Sequence, residues 1–221
     1  MLYPVSLLKV TCPQTPSNDF PAIGPYGSIP NFENPEQGIA AINGYINIVK
    51  GDIAKLLCFL STHQSQLLNA EGRLNNNAFI NLGLKAIFRL ADLLKMLAEY
   101  YTKAYQQAEE TGGTIIISGV AVTAEQLNEK AQTYLIQSQQ LFLAIQSSGV
   151  TNLSNLSYDS GSSCQLSSSS WLAEALSFAN ALPNGQLSTI RIGPVGQEIP
   201  MSSAIDMRLQ AIETILTSTE K

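Results

Sequence analysis

The sequence predicts a mainly α protein: an antiparallel bundle of three long helices plus two shorter C-terminal helices, with an extended N-terminal arm and a minor β element. Three observations lead there. Apolar residues recur every three and four positions over three long stretches, the spacing that lays one stripe along one side of a helix. Prolines crowd the first 33 residues, where each ring pushes the residue before it toward extended geometry. A short β-branched run bounded by glycines interrupts the helical rhythm. The chain divides accordingly into an arm over 1–33, a long-helix bundle over 34–149 with a strand at 114–120, and a region 150–221 holding a Ser-rich loop, two shorter helices and a short strand.

The arm contains Pro4, Pro13, Pro16, Pro21, Pro25 and Pro30, six of the ten prolines. Its apolar anchors include Tyr3, Phe20, Ile23, Tyr26 and Phe32, and its only charges are Lys9, Asp19 and Glu33. Such an arm needs a surface to lie on, either its own domain or a neighbouring subunit.

Asn34-Pro35-Glu36-Gln37 reads as a helix start, with Asn34 as cap and Pro35 at the first helical position. The stripe Ile39, Ile42, Ile46, Val49, Ile53, Leu56, Leu60 and Leu67 carries that helix to Gly72, about 37 residues or roughly 55 Å. Gly44 and Gly51 fall off the apolar seam and read either as sites where another backbone approaches closely or, preferably, as tolerated at about 1 kcal/mol each.

Asn75-Asn76-Asn77 forms the next turn and cap. The second helix carries two apolar stripes, one through Ile80, Leu84, Ile87, Ala91, Leu94, Ala98 and Tyr101, the other through Leu90, Leu93, Leu97 and Tyr100. Its charges, Lys85, Arg89, Asp92, Lys95, Glu99 and Lys103, are confined to a narrow band with opposite signs at i, i+3 and i, i+4. Only that band is expected to meet water, and Gly112-Gly113 ends the helix.

Thr114 to Val120, with Ile115, Ile116 and Ile117 at its centre, reads as a short strand. Its partner is expected at Leu187–Ile192 or in another chain. Thr123-Ala124-Glu125-Gln126 is a capping box with a staple from Val122 to Leu127, and it opens a third helix running to Gly149. The outer face of that helix is glutamine: Gln132, Gln137, Gln139, Gln140 and Gln146. Residues 147–170 read as a serine-rich loop. Ser170 is the expected cap of a short helix through Trp171 and Phe178, and Ser203 that of a last helix with Ile205, Leu209, Ile212 and Leu216 on one face.

Composition excludes more functions than it suggests. A net charge of −5 does not gather phosphate backbones, so nucleic acid is not an expected partner. Charged residues are only 13% of the chain, about half the ordinary share, so much of the surface must be neutral. Cys12, Cys58 and Cys164 are odd in number and far apart, which argues against a disulfide framework or a zinc site. No basic leader precedes an apolar run and no segment reaches membrane-spanning length, so the chain is expected to be cytoplasmic when made, a reading compatible with later release inside an assembled particle.

No Gly-x-Ser-x-Gly elbow, phosphate loop or dinucleotide fingerprint is present, and with one histidine a His-rich metal site cannot form within one chain. His63 lies in the seam of the first helix and reads as a hydrogen-bonded structural residue. The expectation is therefore no enzyme, no catalytic, cofactor-binding or metal site, and no cofactor.

What remains is a non-enzymatic structural subunit of a larger assembly, such as a virion, tail, neck or capsid-associated component. Its partners would be copies of itself and other assembly proteins. Tyr3, Phe20, Ile23, Tyr26, Phe32, Ile115, Ile116 and Ile117 are the candidate interaction residues. The rival readings are a membrane-active helical protein with an apolar β tongue at 112–122 and a small-molecule-binding helical bundle.

Overall fold

A computed structural model describes residues 8–15, 17–147, 151–154, 156–183, 189–192 and 196–218. The protein is mainly helical, with six helices and three small sheets among these residues. Three helices are long: α1 (Pro35–Thr62), α3 (Asn77–Glu110) and α4 (Ala124–Gln146). The short α2 (Gln64–Leu67) follows α1, and α5 (Trp171–Ala181) and α6 (Met201–Ser218) come from the C-terminal region. Helix α3 packs against both α1 and α4, while α5 and α6 cover α4. Both apolar stripes of α3 are buried, because it has neighbours on more than one side.

The helix starts follow local chemistry. Asn34 Oδ1 accepts the Glu36 and Gln37 amides at 2.9 and 3.3 Å, and Asn76 Oδ1 accepts that of Phe79 at 3.0 Å. At α4 the capping box is complete: Thr123 Oγ1 accepts the Gln126 amide at 3.1 Å, and Gln126 Oε1 accepts that of Thr123 at 3.0 Å. Thr123→Ala is expected to cost about 1 kcal/mol in urea unfolding. A midpoint unchanged from wild type would show that the box adds nothing to the packed helix.

Gly44 and Gly51 leave open space where a Cβ would stand, in keeping with tolerated positions. Gly38 is different, since a Cβ there would lie 2.4 Å from the Tyr100 ring. Only glycine lets that ring lie against α1, and the Tyr100 hydroxyl then accepts the Phe32 amide at 2.9 Å. The missing side chain thus helps hold the end of the arm on α3.

Several expectations are corrected. The first helix does not run to Gly72; α1 stops at Thr62. Ser61 Oγ donates to Cys58 O at 2.7 Å, Thr62 Oγ1 donates to Phe59 O at 3.2 Å, and His63 Nδ1 lies 3.0 Å from Phe59 O. Three consecutive side chains thus engage last-turn carbonyls that the helix would otherwise use. Asn69 then organises a turn by accepting the Glu71 and Arg73 amides, both at 3.0 Å.

The strand at 114–120 finds its partner next to it in sequence, and not at 189–192. Strands β2 (Thr114–Ile117) and β3 (Val120–Thr123) form a hairpin across Ser118-Gly119, both with positive φ, 51° and 79°. A two-residue turn of that geometry matches the twist of its strands. The strand expected at 187–192 is β6 (Thr189–Ile192), and its antiparallel partner is β7 (Gln197–Pro200).

The serine-rich stretch is not a plain loop. It holds β4 (Ser157–Gly161) and β5 (Gln165–Leu166), which flank β1 (Lys9–Pro13) from the arm, parallel on one side and antiparallel on the other. Nothing in the pattern of β4, exposed throughout, marks it as a strand; its backbone pairs because Leu8, Val10 and Cys12 are buried and bring β1 alongside. Ser170 makes no side-chain cap bond, and α6 begins at Met201, ahead of Ser203. The third helix ends at Gln146, short of the expected Gly149, which lies outside the described residues.

Cys12 and Cys58 are joined in a disulfide, against the expectation that none forms. Their separation of 46 residues hid the pairing, which arises because β1 lies on α1. Cys164 is the free cysteine, half-buried, with burial raising its thiol above the ordinary value.

Candidate functional site

The arm residues singled out from sequence lie against this chain's own helices. Phe20 remains largely exposed and meets Phe59 edge-on at 5.4 Å. Phe32 meets Tyr100 edge-on at 6.2 Å, and Ile23 is half-buried. The Tyr26 hydroxyl donates to Asp52 Oδ2 at 2.7 Å. Burial first, and that bond second, push the Tyr26 hydroxyl far above its ordinary pKa. Tyr3 lies outside the described residues.

The three hairpin isoleucines fare differently from one another. Ile117 is buried and Ile115 half-buried against the core, whereas Ile116 is 56% exposed. The turn is held at the start of α1, where Glu36 Oε1 accepts the Ser118 amide at 3.1 Å. The arm and hairpin residues therefore form no single cluster. The arm contributes instead to a cleft that the sequence did not reveal.

That cleft has a volume of about 1050 Å³ and is walled by arm residues 23–29, the charged band of α3, the β6–β7 hairpin and Arg208 of α6. Along α3 its floor is Leu82, Lys85, Arg89, Asp92 and Met96, a stripe at three and four spacing. Four members of the band expected to face open water, Lys85, Arg89, Asp92 and Lys95, thus lie between the arm and the C-terminal elements, while Glu99 and Lys103 are exposed beyond the cleft. Five of the chain's 12 Lys and Arg residues line the cleft, Lys85, Arg89, Lys95, Arg191 and Arg208, against two carboxylates, Asp92 and Glu198.

Some of these charges are already matched. Arg208 Nε lies 2.7 Å from Asp92 Oδ1, and Lys95 pairs with Glu99 one turn on. Arg191 and Glu198 are opposite one another in the hairpin register. Arg89 is less well served. Its guanidinium lies 5.4 Å from the Tyr26 ring centre, and its Nε is buried without a hydrogen-bond partner among the described residues. Burial draws the Arg89 pKa down, against the opposing effect of Asp92, Tyr26 and Tyr45.

The single histidine is engaged locally, stacked on Phe59 at 4.0 Å with Nδ1 near the Phe59 carbonyl and 2.9 Å from Thr62 Oγ1. Among the described residues no three His, Cys, Asp or Glu side chains gather as a metal-holding group, and no helix is long and apolar enough to cross a membrane.

Sequence reasoning picked out the α3 band as solvent-facing and gave Arg191 and Arg208 no role. The band was visible as local periodicity. Its convergence with residues more than a hundred positions away had no local signal. No protein-family profile, curated protein or solved structure matches the chain.

Proposed function

We propose that this chain works by protein–protein contact, as a non-catalytic subunit of a larger assembly of virion, tail, neck or capsid-associated type, with α1, α3 and α4 running antiparallel as its rigid body. Neither the 114–117 strand, which has its own hairpin partner, nor the described arm, which lies on helices of its own chain, carries that reading. The observation that carries it is the outer face of α4. Thr133, Ile136, Gln140, Leu143 and Ser147 follow one another at three and four spacing, all exposed and none charged. Ile136 is 44% and Leu143 46% exposed, two turns apart on that face. An uncharged helix face with protruding aliphatics has the composition of a contact surface rather than of a solvated one.

The occupant that best fits a face of this kind is the same face of a second copy, since glutamine and aliphatic side chains pair with themselves without charge conflict. The disulfide supports an oxidising setting for the folded chain, such as the outside of a released particle, even where synthesis is cytoplasmic.

Light scattering and native mass spectrometry of the oxidised full chain test the reading. The expected result is a discrete oligomer that Ile136→Lys with Leu143→Lys returns to monomer while helical circular dichroism persists. A wild-type chain that stays monomeric throughout the accessible concentration range would remove the basis for the proposal.

A further inference from the structure

We infer that the cleft between the arm, α3 and the β6–β7 hairpin is a binding site for a small organic anion, one with a carboxylate or phosphate head on an apolar body. This goes beyond the assembly reading and does not depend on it. The chain is acidic overall, yet nearly half of its cations line this one depression. Placing like charges together costs energy unless carboxylates or a ligand offset it. Asp92 answers Arg208, Glu99 answers Lys95, and Glu198 stands opposite Arg191. Lys85 and Arg89 then carry the charge left over.

Arg89 adds a second, independent sign. Its buried Nε has no hydrogen-bond partner among the described residues, so the guanidinium at the cleft floor keeps donor capacity that the chain does not use. The Tyr26 ring, itself anchored on Asp52, lies 5.4 Å from the guanidinium, a cation–π distance that favours keeping the charge at the cleft.

The rest of the lining sets the body of the ligand. Ile23, Ile29, Leu82, Met96 and Ile190 provide apolar wall beside the cationic floor. The volume, about 1050 Å³, falls at the top of the range for small-ligand sites, roughly 300–1,000 Å³, and is too small for a folded partner. An inorganic anion would satisfy the charge and leave the walls unused.

The test is isothermal titration of the full-length oxidised chain at low ionic strength with decanoate, decyl phosphate and inorganic phosphate. Saturable binding of at least one decyl compound at one site is expected, weaker at higher salt and tighter than binding of inorganic phosphate. Arg89→Gln is expected to weaken it about 10-fold or more, the loss of one charge-assisted bond. Because Arg89 packs under the arm, the exposed Lys85→Gln is the companion variant and is expected to weaken binding in the same direction without altering the fold. Lys103→Gln, on α3 beyond the cleft, is expected to leave binding at the wild-type level. The decyl compound that binds more tightly identifies the head group. Failure of both to saturate, wild-type affinity in Arg89→Gln and Lys85→Gln alike, or inorganic phosphate binding as tightly as decyl phosphate would each overturn the assignment. None of these outcomes bears on oligomeric state, so the assembly reading stands or falls separately.

Discussion

Phe79→Ala is expected to lower the free energy of unfolding by about 3–5 kcal/mol, the largest effect of any single substitution considered for this protein. Phe79 is fully buried at the first turn of α3, where Asn76 caps the helix. Its ring lies 6.4 Å from that of Phe59 on α1 and 6.2 Å, edge-on, from that of Phe178 on α5. Truncation removes the burial of a whole aromatic ring and opens a cavity where three helices meet. Neighbouring rings are held by their own helices, so they cannot close the space fully. Urea unfolding followed by circular dichroism measures the loss. A shift of less than about 1 kcal/mol would mean that the site collapses freely and that these rings are not the junction of α1, α3 and α5.

Removing the Cys12–Cys58 disulfide is expected to cost nearly as much. It closes a loop of 46 residues, and the chain-entropy relation puts the constraint on the unfolded state at about 4 kcal/mol. Structurally it pins β1 to α1, and β1 in turn holds β4 and β5. Cys12→Ser with Cys58→Ser should therefore lower the unfolding midpoint and expose the 157–166 sheet to proteolysis before the helical core. Alkylation of the oxidised wild-type chain after unfolding gives the parallel check. One labelled cysteine, Cys164, is expected before reduction and three after it. Three labelled cysteines without reductant would show that the bond does not form.

The two variants act on different parts of the molecule. Phe79 acts through the folded core, so its loss raises the unfolding rate wherever the junction forms late. The disulfide acts through the unfolded chain, so reductant alone reproduces the double serine variant. A reduced wild-type chain and the serine variant with matching midpoints confirm that distinction.

The helices were legible because their signals are local. Caps at Asn34, Asn76 and Thr123 act within three residues, and apolar spacing reports the buried side of a helix whatever it packs against. The 114–123 hairpin was half legible. Its first strand is marked by β-branched residues, but the strand reading over 114–120 takes in Ser118-Gly119, which form the turn of the hairpin and adopt the positive φ that such turns require. The end of α1 was missed because hydroxyl and imidazole side chains at 61–63 compete for carbonyls while the apolar period continues through them.

By itself, the sequence determined a mainly helical, charge-poor chain with three long helices and a proline-rich leader, since propensity, capping and periodicity are properties of neighbouring residues. Only the tertiary structure decided that Cys12 meets Cys58, that β4 has a partner at all, and that the cations of α3 face a cleft shared with Tyr26, Arg191 and Arg208. Each of these joins residues far apart in the chain. Such pairings follow from how the faces of α1 and α3 are covered, which burial of the whole core settles at once and no local pattern encodes.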